Sequence, residues 1–486
     1  MRGTMEHDEW LERMARLEAE ILRLGQEMAR LQAENAHLVA ENARLEAENA
    51  ELRRRLAKDS SNSHKPPSSD GYRKKPRRQS AMPKGEKRQR GGQAGHQGRT
   101  LRQVAQPDHI QVHLPHHCGV CGRAFQEEET HRVVGKRQVF DLPEPKLEVT
   151  EHRLGEVTCC GVAQRGAYPA HVTTPVQYGP GVRGLVTQLA VAYNMPLGKI
   201  SQLFTDLYGY ALNERTVENA LEEGYRLGEP VEQAVKGALE QAEGAHFDET
   251  GIRVAGALHW THVASNAAYT YLFIHQKRGR QALESTSSVL PSFQGRAIHD
   301  RWASYFKFED GQHGLCNAHI LRALQGVQEE GRAWAVAMRE HLLGLYRQGK
   351  VLEGEAAEAA RQRYRDILSQ AEAEEPPPQR APGQRGRAKN SPGRNRMRSL
   401  REHEESVLAF ALVAGVPFTN NQAERDLRPV KVKQKVSGSF RTEHGAARYA
   451  RLQGILSTCR KQQRPVFHTL RTLFAHQPVN LLVDHG

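Results

Sequence analysis

The sequence lacks the features that mark several protein classes. Its 486 residues contain no run of about 18–20 apolar residues, the length of a transmembrane helix, so a membrane protein is not expected. The first ten residues are acidic and have no apolar signal core, which argues against secretion. Six cysteines are too few for a disulfide scaffold in so long a chain. With 38% hydrophobic residues, the chain can still build about two to four folded domains.

Positive charge, by contrast, is in excess: 69 Lys and Arg face 56 Asp and Glu, a net charge of +13. Residues 58–102 hold thirteen Lys or Arg against three acids, with many Ser, Pro and Gly and no hydrophobic periodicity. This composition predicts a basic flexible linker over residues 58–104 that binds DNA phosphates. Its candidate DNA contacts are Lys74, Arg77 and Arg78. A solubilising spacer is the alternative interpretation.

Residues 1–57 carry a seven-residue hydrophobic repeat. The d positions of the heptads hold Leu17, Leu24, Leu31, Leu38, Leu45 and Leu52. The a positions hold Ile21, Met28, Asn35, Asn42, Asn49 and Leu56. This pattern predicts a leucine-zipper coiled coil, in which Asn at position a favours a parallel dimer at some cost in stability. We therefore expect a homodimer or a higher oligomer, the alternative being a solvated helix or one that packs on its own chain.

Residues 105–175 are predicted to form a small zinc-binding β module, similar to a zinc finger. Apolar alternation at 110–114 and again at 146–150 indicates short strands. The candidate zinc ligands are Cys118, Cys121, Cys159 and Cys160. Two close pairs are typical of a structural Zn²⁺ site, although two adjacent cysteines rarely both reach one metal without strain. A histidine in place of one cysteine, or cysteines without metal, are the alternatives.

Residues 176–242 are predicted to be helical. Ile200, Phe204 and Leu207 fit one apolar face, Gly209 interrupts the pattern, and a second helix begins near Thr216. Two short helices around a glycine-containing turn resemble a helix-turn-helix that reads DNA. Any helical hairpin has the same pattern, so the DNA-reading role stays open at this point.

From residue 243 onward the pattern changes to strands. Three strands are predicted at about 246–255, 258–264 and 269–274, then a helix at 280–290 and a fourth strand at 297–299. A late helix begins at about residue 420 and is expected to end near Pro429. This is the element order of a ribonuclease H-like fold, which we assign to residues 243–475.

Three carboxylates occupy matching places in this order: Asp248 on the first strand, Asp300 after the fourth and Glu424 on the late helix. Singly, each could be a turn residue or a helix cap. Together they predict one metal site. Phosphodiester cleavage uses two divalent ions about 3.5–4 Å apart, and carboxylates are the ligands that suit Mg²⁺. We therefore expect two Mg²⁺ ions per site.

The chain resembles transposases of the insertion-sequence 66 family nearly from end to end. The shared motifs are the leucine heptads, segments 58–70 and 91–98, the Cys118/Cys121 turn, Asp248-Glu249-Thr250, segment 299–302 and segment 420–429. In that family the corresponding acids are the DDE catalytic set. The resemblance therefore implies catalytic roles for Asp248, Asp300 and Glu424, with Mg²⁺ as cofactor. It also implies DNA as the partner and a bacterial cytoplasmic location at the nucleoid. The adjacency of Cys159 and Cys160 departs from the family's spaced second pair.

About 120 residues separate the second and third acids, which predicts a helical insertion at about 322–415. Within it, residues 376–401 hold eight Lys or Arg and no acid, which predicts a disordered basic loop near DNA. The candidate DNA contacts after the third acid are Arg425, Arg428, Lys431 and Lys433. The spacing of Cys316 and His319 allows a zinc site, but we favour a helix packing face.

The sequence thus predicts a multidomain α+β protein with a coiled coil, a zinc module, a helical region and a ribonuclease H-like catalytic core with a helical insertion. Its predicted function is DNA cleavage and strand transfer at the ends of an insertion sequence. A ribonuclease H-like nuclease without strand transfer and a non-catalytic DNA-binding zipper protein are the alternatives.

Overall fold

The computed structural model describes residues 2–56, 58, 62, 100–126, 130–308, 312–378, 380 and 388–482. The structure is mixed α+β, as predicted, and divides into two compact units. One comprises Met1–Met82 and Asn317–Leu412, the other Pro83–Cys316 and Val413–Gly486. The predicted linker contacts Lys74, Arg77 and Arg78 lie outside the described residues. No helix in the described ranges has both the length and the apolar composition that crossing a membrane requires.

The helices are, in chain order, α1 (Arg2–Leu56), α2 (Pro180–Ala192), α3 (Leu197–Tyr208), α4 (Glu214–Leu227), α5 (Glu229–Glu240), α6 (Arg280–Leu283), α7 (Asn317–Glu329), α8 (Ala333–Gln348), α9 (Gly354–Glu374), α10 (Pro392–Glu402), α11 (Glu404–Leu412), α12 (Asn421–Ser437), α13 (Glu443–Lys461) and α14 (Val466–Phe474). The strands are β1 (Glu156–Cys159), β2 (Val162–Arg165), β3 (Gly244–Val254), β4 (Ala257–Ser265), β5 (Thr270–His275), β6 (Arg296–His299) and β7 (Gln312–Leu315).

The heptad repeat lies on the long helix α1, because its many Ala, Leu and Glu residues have high helix propensity. The six heptad leucines are between 42% and 59% exposed. The helix is therefore as predicted and presents an apolar stripe to solvent. Its pairing with a second copy stays a prediction.

Beyond β7, the described part of the segment between the second and third acids forms the five helices α7–α11. Leu342 and Leu345 of α8 are buried as the predicted face requires, whereas Tyr346 is 42% exposed. The prediction of a disordered loop over 376–401 is wrong for its second half, because α10 begins at Pro392. Ser391 caps this helix by accepting a hydrogen bond from the backbone N–H of Arg394 at 2.9 Å.

One residue of the predicted linker contacts the helical insertion. Asn62 is buried, and its Nδ2 donates to Oε2 of Glu329 on α7 at 2.8 Å. Its carbonyl oxygen lies 2.6 Å from the position that a Cβ at Gly326 would occupy. Gly326 therefore permits a close backbone approach at this point.

The predicted β module is not rich in strands. The hairpin β1–β2 is its only two-stranded sheet in the described ranges, and neither 110–114 nor 146–150 forms a strand, so both predictions were wrong. Ile110, Val112 and Val149 are 79%, 53% and 88% exposed. Because these apolar side chains pack on no core, a strand formed there would bury no apolar face.

The helical prediction for 176–242 is confirmed by α2–α5. Ile200 and Phe204 are buried, and Gly209 ends α3 with a φ of 69°, a left-handed conformation that glycine adopts without strain. Helices α2–α4 share a hydrophobic core with α13 and α14, which includes Val217, Leu452 and Phe474. The region is therefore part of the core of its unit.

The central sheet has the strand order β5-β4-β3-β6-β7. Strands β3, β4 and β5 are antiparallel neighbours, whereas β6 and β7 run parallel to β3. The four predicted strands are confirmed. Apolar residues of α12 and α13 pack on one face of the sheet through Ala423, Leu427 and Ala450. On another part of the sheet, Ala245 and Phe247 pack with Val235 and Leu239 of α5.

Two helix boundaries differ from the predictions. The helix expected at 280–290 ends at Leu283, and a short 3₁₀ turn follows at Leu290–Ser292. The late helix does not end at Pro429 but continues to Ser437 with the proline inside it.

Candidate active site

The register of the sheet brings Asp248 and Asp300 to the same edge. His246 of β3 pairs with Ile298 of the parallel strand β6, so each aspartate lies two residues beyond this pair. Asp248 is within β3 and Asp300 directly follows β6. Asp248 therefore does not have the isolated turn position that would explain it alone.

Electrostatics link these two acids to Glu424. Burial raises the pKa of Asp248 well above its usual range, and the charges of Glu249, Asp300 and Glu424 raise it further. Burial also raises the pKa of Asp300, although the N–H of Trp302 and the charge of Arg278 oppose this shift. Acids that disfavour one another's charge in this way form an arrangement that a divalent cation stabilises.

Glu424 lies in the first turn of α12, and a buried asparagine fixes where that helix begins. Asn420 donates through Nδ2 to the carbonyl of Phe247 at 2.8 Å, and its Oδ1 lies 2.8 Å from Nδ1 of His246. The backbone N–H of Asn420 donates to Sγ of Cys316 at 3.1 Å. Asn420 thus joins the start of α12 to β3 beside Asp248, a role that sequence reasoning missed.

Cys316 belongs to the same junction. It is buried at the end of β7, and its Sγ lies within 4.8 Å of a carboxylate oxygen of Glu424. Its contact with Asn420 is a packing contact, whereas its position beside Glu424 places it in a group of side chains that could hold a metal ion. His319 is three residues further on, in α7.

The loop after Asp300 has an unusual backbone. Arg301 has a φ of 73°, which is rare for a residue with a side chain. Oδ1 of Asp300 accepts a hydrogen bond from the backbone N–H of Trp302 at 3.0 Å. The 3₁₀ turn Tyr305–Lys307 follows and carries the fully buried Tyr305. The local backbone therefore holds one oxygen of Asp300 in a fixed direction.

A second group of contacts, absent from the sequence predictions, surrounds Glu249. Its Oε1 accepts from Arg278, with the shorter contact at 2.7 Å, and its Oε2 accepts from the hydroxyl of Tyr305 at 2.6 Å. The guanidinium of Arg278 lies over the rings of Trp302 and Trp260, 4.3 and 5.0 Å from their centroids. In the sequence, the one indication of these contacts was that an acid, Glu249, directly follows Asp248.

The four cations predicted on α12 separate into two kinds. Arg425 and Arg428 are exposed. Lys431 instead donates to the carbonyl of Gly251 at 2.9 Å, and Lys433 lies 5.9 Å from the ring centroid of Tyr449. Burial lowers the pKa of both lysines. The two arginines are therefore the members of the set whose charge faces solvent.

The cysteine pairs have different surroundings. Cys118 and Cys121 flank a tight turn in which Gly122, at a φ of 74°, donates its N–H to the carbonyl of Cys118 at 3.0 Å. Backbone N–H groups of Cys121 and Val120 lower the pKa of the Cys118 thiol. Cys159 and Cys160 meet at the β1–β2 turn, with their sulfurs 3.7 Å apart. Within the described ranges, the two pairs do not come together in one group of metal-ligating side chains.

A mixed sheet that gathers partly buried carboxylates, beside a helix with exposed arginines, has the features expected of an enzyme acting on nucleic acid. A family model described as Transposase IS66 family matches residues 175–448, more than half of the chain. The chain therefore belongs to the IS66 transposase family. Residues 17–102 match a second model, for a family of unknown function (DUF6444). No curated protein matches the sequence.

Proposed function

We propose that the chain is a DNA transposase that binds the ends of an insertion sequence and cuts and joins DNA strands by DDE chemistry. The observation that carries the proposal is the strand register that brings Asp248 and Asp300 to the same edge of the sheet. The charge of Glu424, which together with that of Asp300 raises the pKa of Asp248, supports it. These acids come from neighbouring parallel strands and from α12, so segments far apart in sequence would supply the proposed site. Membership of the transposase family supports the role and implies action on DNA.

The sheet supports a ribonuclease H-like core. Its first three strands are antiparallel, and the next two run parallel to the first, which lies at the centre of the order β5-β4-β3-β6-β7. The proposed acids lie on the central strand, after its parallel neighbour and on the late helix. These positions would bring the three acids together at one edge of the sheet.

The donor set fits Mg²⁺, because hard cations prefer carboxylate oxygens and the three acids disfavour one another's charge without a cation. Asp248, Asp300 and Glu424 would hold the metal. A bound pair of ions would activate the attacking oxygen and stabilise the leaving oxygen of a phosphodiester. Arg425 and Arg428, exposed on the same helix as Glu424, would hold DNA phosphates beside the acids.

The remaining parts of the proposal concern assembly and DNA binding. The exposed leucine stripe of α1 supports a coiled-coil dimer. The turn at Cys118 and Cys121 supports a zinc module, with Cys159 and Cys160 as the less favoured second pair. We further assign the basic linker and the helical region 176–242 to contacts with the element ends.

The test is a cleavage and strand-transfer assay with DNA that carries the element ends, in Mg²⁺, for the unchanged protein and for Asp248→Asn. We expect Asp248→Asn to lower both activities by at least about a hundredfold, since removing one electrostatic group at a reacting centre commonly costs about 10²–10³ in rate. The matched control is Asp366→Asn, the same change at an exposed residue of α9, which should leave both activities unchanged.

Equal cleavage by the unchanged protein and Asp248→Asn would contradict the catalytic assignment. If the protein hydrolyses DNA but forms no joined product from pre-cleaved ends, it is a nuclease of the same fold and not a transposase.

A further inference from the structure

Glu249 is an acid beside the proposed site whose oxygens are already used. Its side chain is 1% exposed, Oε1 accepts from Arg278, and Oε2 accepts from Tyr305. Both contacts are short and involve a charge, so they are stronger than ordinary hydrogen bonds. Little capacity remains on this carboxylate for a metal ion.

The strand geometry also separates Glu249 from its neighbour. Successive residues of a strand project to opposite faces of the sheet. Asp248 therefore shares its face with His246, which contacts Asn420 before α12. Glu249 shares its face with Phe247, whose ring packs on those of Phe293 and Tyr305. The two adjacent acids thus have different surroundings and different partners.

Both partners of Glu249 connect it to the loop that carries Asp300. Tyr305 lies within this loop, and its ring stacks on that of His299, the residue before Asp300, at 4.7 Å between centroids. Arg278 covers Trp302, whose backbone N–H holds Oδ1 of Asp300. One buried carboxylate on β3 therefore connects to two residues that follow the left-handed Arg301, and one of these, Tyr305, stacks on His299 before it.

We propose that Glu249 is a positioning residue, which holds the Asp300 loop through Tyr305 and through Arg278 stacked on Trp302, so that Asp300 faces Asp248. This inference rests on the proposed function, because it assigns Glu249 a task in the site of that function. Groups that orient metal ligands from the second layer commonly change metal affinity about 10–100-fold when they are removed.

The test measures metal binding and the metal dependence of cleavage in Tyr305→Phe and Glu249→Gln. Tyr305→Phe removes one hydroxyl and keeps the ring, so it addresses the loop even if Glu249→Gln fails to fold. Mn²⁺ binding, followed by the paramagnetic resonance of the free ion, should weaken about 10-fold or more in each variant. The Mg²⁺ concentration for half-maximal cleavage should rise similarly, while the rate at saturating Mg²⁺ stays within about threefold and DNA affinity is unchanged.

The matched control is Tyr364→Phe, which removes the hydroxyl of another fully buried tyrosine, one that donates to the carbonyl of Leu400 in the helical insertion. It should leave Mn²⁺ binding unchanged. Unchanged Mn²⁺ affinity in Tyr305→Phe, or a lower saturating rate without any change in metal affinity, overturns the positioning role. Failure of the proposed function is distinguishable, because in that case Asp248→Asn would itself cleave normally.

Discussion

At the scale of single residues, Gly295 is the position where the sheet has least room for a side chain. A Cβ there would lie 2.2 Å from the carbonyl oxygen of Ala242 and 2.7 Å from that of Glu243. Both atoms are backbone and cannot rotate away. This glycine precedes β6, so the close approach sets where β6, and with it Asp300, meets β3.

We predict that Gly295→Ala lowers the free energy of unfolding by about 1–3 kcal/mol or more, the usual cost of overpacking. Denaturant unfolding followed by circular dichroism measures this. The matched control is Gly237→Ala in α5, where a Cβ meets no atom within 4 Å and helix propensity favours alanine. Equal stability of Gly295→Ala and the unchanged protein would show that the backbone moves apart there at no cost.

The proposed catalytic acids could be predicted from the sequence, whereas their supports could not. Asp248, Asp300 and Glu424 stand in recognisable motifs. Asn420, by contrast, donates a hydrogen bond to the carbonyl of Phe247, 173 positions earlier in the chain. Nothing local in a sequence encodes a hydrogen bond between such distant residues, so side-chain supports of this kind become visible only with the fold.

At the scale of elements, the predictions were most accurate where the apolar residues of the sequence pattern are buried in a core. Strands β3–β6 of the central sheet pack apolar residues into cores and were predicted, whereas β7, a strand of four residues, was not. The helix expected at 280–290 ends early, because a run of serine and threonine follows Glu284 and the hydroxyl of Ser285 donates to the carbonyl of Ala282. Helix α12 passes Pro429 because Leu427 and Val430 on either side of it are buried, and this packing outweighs the loss of one N–H donor.

The cysteine turn gives an element-scale prediction. We expect zinc in the purified protein, bound through the Cys118/Cys121 turn, where backbone N–H groups favour the thiolate that binds metal. The double variant Cys118→Ser, Cys121→Ser should lose this zinc in elemental analysis. The comparison is Cys159→Ser, Cys160→Ser, which should lose it too only if the second pair ligates the same ion. Equal zinc in the first variant and the unchanged protein would place the metal elsewhere.

At the scale of the whole molecule, the excess positive charge has a defined distribution. Residues 58–102 and 376–401 supply 21 of the 69 Lys and Arg, and part of the second segment is the ordered helix α10. The acids of the proposed site lie elsewhere, on and beside the sheet. The acids of the proposed site can therefore bind metal while the two basic segments contact DNA phosphates.

Dimerisation is the last whole-molecule prediction. If the exposed leucines of α1 form the seam of a coiled coil, Leu31→Asp with Leu38→Asp puts four charges into the dimer interface and should halve the mass measured by light scattering. The matched control, Ala33→Asp with Ala40→Asp, adds the same charges on the outer face of the heptads and should leave the mass unchanged. Both variants keep a helical sequence. If Leu31→Asp with Leu38→Asp has the same mass as the unchanged protein, α1 does not hold two copies together.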